Sequence, residues 1–197
     1  KHAYLSYGQR DSKDKIDKDV RVVYLGLSGT PTKNVSERIW GYRSVYKTHI
    51  DLRKIASSAD IGVSFRGRVD EGGKLRAQFM LANGSGQSPE VNTGKKIYAL
   101  LHLIPTGRLE ITAYGDFESK PDDKNKHMVS GLIGRSGKDF SGAIDMFLDT
   151  SKKAGPAGED VKSKGVSIFG ARMNTQRKGL SKGARKRSWL KLSTCRP

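Results

Sequence analysis

Side chains with catalytic or metal-binding potential are few in this sequence, and their spacing matches no known chemistry. Cys195 is the single cysteine, which excludes both a disulfide framework and a cysteine-based zinc site. Acids such as Asp116 and Glu118 are explained more simply as charges paired across strands than as a general acid and base. The four histidines lie far apart, without the spacing of metal ligands: His2, His49, His102 and His127. We therefore predict no enzymatic activity, no metal and no cofactor.

The segment "GLIGRSGKD" (131–139) comes closest to a phosphate-binding loop. That pattern requires a glycine five positions before the Gly-Lys pair, where Leu132 stands, and a Ser or Thr directly after the pair, where Asp139 stands. A turn between two strands is the simpler interpretation of this segment.

Basic residues are in large excess, and the excess is uneven. The net charge is +17, from 37 Lys and Arg against 20 Asp and Glu. Residues 174–197 hold eight basic residues and no acid, so they contribute +8 and residues 1–173 contribute +9. This charge favours nucleic acid, anionic lipid surfaces or anionic solutes as partners. We predict a β-rich body over residues 1–173 and a disordered basic tail over residues 174–197.

Apolar and polar residues alternate along much of the body. In the segment 109–118, Leu109, Ile111, Ala113 and Phe117 alternate with Glu110, Thr112, Tyr114, Asp116 and Glu118. A period of two is typical of a strand, whose successive side chains point to opposite faces of a sheet. The same pattern predicts about nine strands: 2–8, 20–27, 60–68, 74–82, 96–104, 109–118, 127–135, 140–149 and 165–173.

The connections between these strands alternate between short and long. The segments 69–73, 105–108 and 136–139 are short, whereas 83–95, 119–126 and 150–164 are longer. In an up-and-down meander the short connections lie at one end and the long ones at the other, which is typical of transmembrane barrels. The segment 28–59 reads as one long loop with a short helix, because Thr48 and Asp51 form a capping-box pattern before Leu52.

The apolar face carries no charge, and almost no predicted helix is available to cover it. The simpler alternative is a soluble antiparallel sheet with one face packed on a core and the other exposed to solvent. The longest apolar run, 97–104, is interrupted by His102 and is far shorter than the roughly 18–20 residues of a membrane helix. Barrel strands need only about 9–11 residues and are apolar on one face only. We therefore predict an all-β, antiparallel up-and-down meander that forms part of a transmembrane β-barrel.

Two long segments carry a family resemblance. The segments "GLSGTPTKNVSERIWGYRSVYKTHIDLRKIASSADIGVSFRGRV" and "FMLANGSGQSPEVNTGKKIYALLHLIPTGRLEITAYGDFE" resemble bacterial outer-membrane porins of the phosphate-selective porin O and P group. The resemblance runs from about Ala3 to Met173. Members of that group are about twice this length, have an even strand count and end in an aromatic residue. This chain departs from all three features and reads as an incomplete porin.

The resemblance implies a channel in the bacterial outer membrane for passive diffusion of small hydrophilic, anionic solutes. It also implies contact with outer-membrane lipid and a homotrimer. In the family a long loop enters the pore and carries basic side chains. The pore-lining, anion-binding residues that it implies are Arg43, Lys47, Arg53, Lys54, Arg66, Arg68, Arg76 and Lys96. Basic residues along a narrow pore raise the local anion concentration.

Nucleic-acid binding is the principal alternative function. The run "KGLSKGARKR" in the tail would neutralise phosphates, and Tyr98 and Tyr114 would stack bases on the sheet. Acids share the polar face with the cations, and no known nucleic-acid-binding motif is present. A soluble β-barrel that holds a small ligand is a third alternative.

Overall fold

One antiparallel sheet accounts for nearly all of the regular structure. The structure, a computed structural model, describes residues 3–13, 18–40, 57–89, 93–137, 140–173 and 187–196. Ten strands pair in sequence order, each with its neighbour along the chain. They are β1 (Ala3–Arg10), β2 (Asp19–Gly29), β3 (Ala59–Arg68), β4 (Leu75–Ala82), β5 (Lys95–Thr106), β6 (Leu109–Ser119), β7 (Lys126–Arg135), β8 (Phe140–Ser151), β9 (Val161–Met173) and β10 (Arg187–Arg196).

The predicted antiparallel up-and-down sheet is confirmed, and its first nine strands coincide with the nine predicted ones. A tenth strand, which was not among the nine predicted ones, covers Arg187–Arg196 and pairs with β9 along its whole length. The rest of the tail that was predicted to be disordered, 174–186 and 197, lies outside the described residues. An unpaired strand edge is a ready template for another strand. The sheet order places β1 and β10 at the two edges of an open sheet.

The single described α-helix, α1 (Pro31–Trp40), lies directly after β2. The helix predicted near Thr48 falls outside the described residues, and the segment now seen as α1 was predicted as loop. Proline at the first helical position favours this start, because its missing N–H is not needed there. Thr30 precedes it and is tied to the chain before β3, since its hydroxyl donates to the Ser57 carbonyl at 2.6 Å.

The two faces of the sheet have inverted polarity relative to a soluble protein. The apolar face, with side chains such as Leu25, Leu101 and Leu148, is exposed by 54–57 %. The polar face is buried and includes Glu110 at 1 % and Asp145 at 3 %. The 127–135 strand, which was ambiguous in sequence, points Met128 and Leu132 inward and Val129 and Ile133 outward. We call the side that packs against α1 the inner face and the opposite side the outer face.

The short turn between β3 and β4 is organised by Asp70. Its carboxylate accepts hydrogen bonds from the backbone N–H of Leu75 at 2.6 Å and of Lys74 at 3.1 Å. These bonds, that from Leu75 above all, lower the pKa of Asp70 below its ordinary value.

We expect Asp70→Asn to be less stable than the native chain at neutral pH. A carboxylate whose pKa is depressed by folding stabilises the fold above its unfolded pKa, and that contribution is lost as the pH falls through the folded pKa. The difference in urea midpoint between the two proteins should therefore shrink as the pH falls below about 4. A difference that stays constant from pH 7 to pH 2 would contradict this role of Asp70.

Candidate functional site

The candidate site is the inner face of the sheet with the helix α1 that lies against it. The sheet curves around α1, which contacts every strand from β4 to β9. Trp40 of α1 packs edge-on against Phe169 of β9, with ring centroids 5.4 Å apart. Val35 and Ile39 lie in the same buried cluster, which includes Met80, Tyr98, Leu100, Tyr114, Met128, Leu132 and Phe147 from the inner face. The helix therefore occupies the space that the sheet partly encloses.

A missing side chain on β7 makes room for this helix. A Cβ at Gly134 would lie 2.8 Å from Ile39 Cδ1 and 2.7 Å from Ala143 Cβ. Both distances are shorter than real Cβ contacts, so any larger residue at this position pushes against α1.

We expect Gly134→Val to displace α1 while the sheet persists. Overpacking of this kind costs about 1–3 kcal/mol. The readout is the fluorescence of Trp40 in a Trp189→Phe background, which should shift to longer wavelength as the indole meets water. Gly131→Val on the same strand is the matched control, because a Cβ there has its nearest contact at 3.6 Å. Equal spectra for the two variants would contradict the packing of α1 against Gly134.

An ionic contact fixes the helix to the sheet. Arg38 donates from Nη1 to Glu110 Oε1 at 2.9 Å and from Nη2 to Oε2 at 2.5 Å. The same Oε2 lies 2.9 Å from Nε2 of His102 on β5. A bidentate Arg–carboxylate pair is both strong and directional. We call Arg38, Glu110 and His102 the helix latch.

A second polar cluster lies nearer to the long connections. Lys96 Nζ is 3.2 Å from Asp116 Oδ1 and 3.9 Å from Glu118 Oε2, and its side chain is only 6 % exposed. Tyr98 donates its hydroxyl hydrogen to Asp60 Oδ2 at 2.6 Å, and Tyr114 donates to Asp116. These pairs supply the partners that buried charges require.

Arginines dominate the other side of the inner face, on β3 and β4. Arg66 donates to the Gly29 carbonyl at 2.8 Å, and its guanidinium lies 4.8 Å from the centre of the Tyr24 ring. Arg68 pairs with Asp11 at 3.0 Å, and Arg76 donates to the Gly73 carbonyl at 3.1 Å.

Four of the eight predicted pore-lining residues are therefore described, and all four lie on the inner face: Arg66, Arg68, Arg76 and Lys96. Each of them has a partner within the protein, and Lys96 is paired with acids. The other four lie outside the described residues: Arg43, Lys47, Arg53 and Lys54.

The helix latch is the part of the site that the sequence did not predict. Arg38 and Glu110 are 72 residues apart, and nothing local in either segment indicates the partner of the other. The polar-face assignment of Glu110 and His102 was the only available signal, and it placed both on the correct side of the sheet.

The outer face has a charge pattern of its own. The apolar face was predicted to carry no charge, but the outward positions of strands β1–β9 also include basic residues, and they include no acid. The basic residues lie at the two ends of the strands and leave an uncharged band between them. At the end with short connections they are Arg21, Arg135 and Arg172, and at the end with long connections they are Lys95, Lys162 and Lys164.

Comparison with family models, with curated proteins and with solved structures finds no match for this chain. No helix in the described part of the chain is long and apolar enough to cross a membrane. Among the described residues, no group of three or more His, Cys, Asp or Glu side chains is arranged to hold a metal ion.

Proposed function

We propose that this chain forms the wall of a porin-like outer-membrane barrel, through which small hydrophilic solutes diffuse. The observation that carries the proposal is the inverted polarity of the sheet. Large apolar side chains such as Leu101 at 54 % and Leu148 at 57 % point outward, while Glu110 and Asp145 are buried inside. Contiguous apolar surfaces of this extent are rare on soluble monomers and are typical of surfaces that meet lipid or a partner.

The height of the outer apolar band supports lipid as its surroundings. On β9, Lys164 and Arg172 bracket Val166, Ile168 and Gly170 on the outer face. Eight residue steps at about 3.3 Å span roughly 26 Å along the strand. Tilted strands of outer-membrane barrels cross the bilayer with about 9–11 residues, which the nine residues from Lys164 to Arg172 match, and long basic side chains reach from the ends of such a stretch to the headgroups.

We propose that the inner face lines a water-filled path with charge on opposite sides. Arg66 and Arg76 lie on β3 and β4, whereas Glu110 and Asp145 lie on β6 and β8. Helix α1 contacts β4, β6 and β8 on this face and narrows the space beside them. We propose that anionic solutes pass along the arginine side, where a field from fixed charges in a narrow space raises their concentration.

Closure of the barrel is part of this proposal. Open sheet edges are not tolerated in lipid, because their unpaired N–H and C=O groups find no water there. We propose that β1 and β10 are paired in the membrane, with each other, with further strands of a longer protein or with another chain, and that a trimer forms as the resemblance implies.

Conductance in planar bilayers under a salt gradient tests the function. The inserted protein is expected to conduct, with a reversal potential of the sign that anion preference gives. Arg66→Gln combined with Arg76→Gln should lower that preference, whereas Lys74→Gln, an exposed charge in the β3–β4 turn, should leave it unchanged. Inserted protein without conductance would refute the channel, and an unchanged reversal potential would refute the role of the two arginines.

The alternative of nucleic-acid binding receives no support from the sheet. Tyr98 and Tyr114, the two rings required for base stacking, are only 2 % and 5 % exposed. Both hydroxyls are engaged by acids of the inner face.

A further inference from the structure

We propose that a groove on the outer face of β7, β8 and β9 binds one anionic phospholipid, with its acyl chain in the groove and its phosphate, whose charge no cation of the headgroup offsets, at Lys164. This inference rests on the proposed membrane location of the sheet. The proposed function requires only non-specific contact between the outer face and lipid, whereas this inference adds one specific lipid-binding site.

The groove is a depression of about 740 Å³ in the apolar band. Its outward-facing walls are Val129, Gly131, Met146, Leu148, Lys164 and Val166. The depression exists because Gly131 stands where the neighbouring outward residues of β7, Val129 and Ile133, carry large side chains. An apolar lining of this shape suits a hydrocarbon chain.

The end of the groove nearest the long connections is basic. Leu148 pairs in register with Lys164, and Thr150 pairs with Lys162, so the two lysines lie next to each other on the outer face. Both are exposed. An alkyl chain below a pair of ammonium groups complements a lipid that carries a phosphate at the top of its chain.

Nearby acids are turned to other partners. Asp149 lies on the inner face and pairs with Lys126 at 3.5 Å. In the β8–β9 loop, Glu159 accepts from the Ala157 N–H at 3.0 Å and Asp160 accepts from the Lys153 N–H at 3.2 Å. The outer face of the described strands β1–β9 has no acid to compete with a phosphate for these lysines.

Native mass spectrometry of the detergent-solubilised, β-rich protein tests the site. Phosphatidylglycerol and phosphatidylcholine with identical acyl chains are the probes. We expect the native chain to retain phosphatidylglycerol several-fold more tightly, and Lys164→Gln to weaken that binding about fivefold, which corresponds to about 1 kcal/mol for one basic residue near the headgroups. Binding of phosphatidylcholine should change less in Lys164→Gln, because the ammonium group of its choline offsets the charge of its phosphate.

The groove itself is tested by Gly131→Leu. A Cβ at Gly131 meets only the Thr112 carbonyl oxygen, at 3.6 Å, so the variant is expected to fold with its side chain in the groove. It should weaken binding of both lipids. Ala99→Leu is the matched control, because it places the same leucine side chain at an exposed outward position two strands away.

Three results would overturn the lipid site: no preference for phosphatidylglycerol in the native chain, an unchanged preference in Lys164→Gln, or displacement of the lipid by equimolar inorganic phosphate. Flotation of each protein with liposomes is scored first. A chain that fails to float contradicts the membrane location, whereas a chain that floats without lipid preference contradicts only this site.

Discussion

Replacing Ile144 by arginine is expected to block insertion of the protein into lipid bilayers. Ile144 is an outward side chain, 41 % exposed, between Gly142 and Met146 near the middle of the apolar band on β8. An arginine at the midplane of an outer-membrane barrel costs about 2–4 kcal/mol. The measurement is the fraction of protein that folds into liposomes. This fraction is read from gel electrophoresis of unboiled samples, in which the folded protein migrates differently from the unfolded protein.

Thr150→Arg provides the matched control for this experiment. Thr150 lies on the same strand and on the same outer face, but at the rim, level with Lys162. The cost of arginine falls to about 0–1 kcal/mol near the interface. If both variants insert as well as the native protein, the lipid-facing band is contradicted. It is also contradicted if both variants lose insertion to the same extent.

The second large effect is expected at the helix latch. Glu110→Ala removes the carboxylate that Arg38 and His102 share, and the Glu110 side chain is only 2 % exposed. Removing one partner of a fully buried ion pair costs about 3–5 kcal/mol. The cost here is expected to fall toward or below the lower end of that range, because the Arg38 side chain that loses its partner is 31 % exposed. We expect a lower urea midpoint and a larger, noisier conductance, because α1 is no longer held against β5 and β6.

An exposed ion pair calibrates this result. Lys153 and Asp123 lie 3.4 Å apart with side chains 49 % and 57 % exposed, so Asp123→Ala should cost no more than about 1 kcal/mol. A double-mutant cycle with Arg38→Met isolates the pairwise energy of Arg38 and Glu110. A coupling energy near zero, or an unchanged conductance in Glu110→Ala, would contradict the latch.

Strand positions and faces could be predicted from the sequence because a period of two is a local signal. Leu109, Ile111 and Phe117 of β6 alternate with acids and threonine, and the structure places those two sets on opposite faces. Alternation alone does not say which face lies inside. That answer required α1, whose buried Trp40 and Ile39 fix the inner face of the sheet.

The helix, the latch and β10 were missed for different physical reasons. Helix α1 has only ten residues, and its polar composition hides the Val35–Ile39 spacing, so packing against the sheet decides its structure. The contact of Arg38 with Glu110 joins distant segments and leaves no local trace. In β10 the many basic residues obscured an alternating pattern, in which Leu190 and Leu192 alternate with Trp189, Lys191 and Ser193. Pairing with β9 forms the strand despite this basic composition.

The central claim is that the outer face meets lipid and the inner face does not. Spin labels placed one at a time along β5 from Ile97 to Leu103, in a Cys195→Ser background, test it in liposomes. Oxygen, which concentrates in the acyl-chain region, should reach labels at Ile97, Ala99, Leu101 and Leu103 and be excluded at Tyr98, Leu100 and His102. A period of two with these maxima is the predicted result. Uniform oxygen accessibility along the strand, or maxima at the inner positions, would contradict the account.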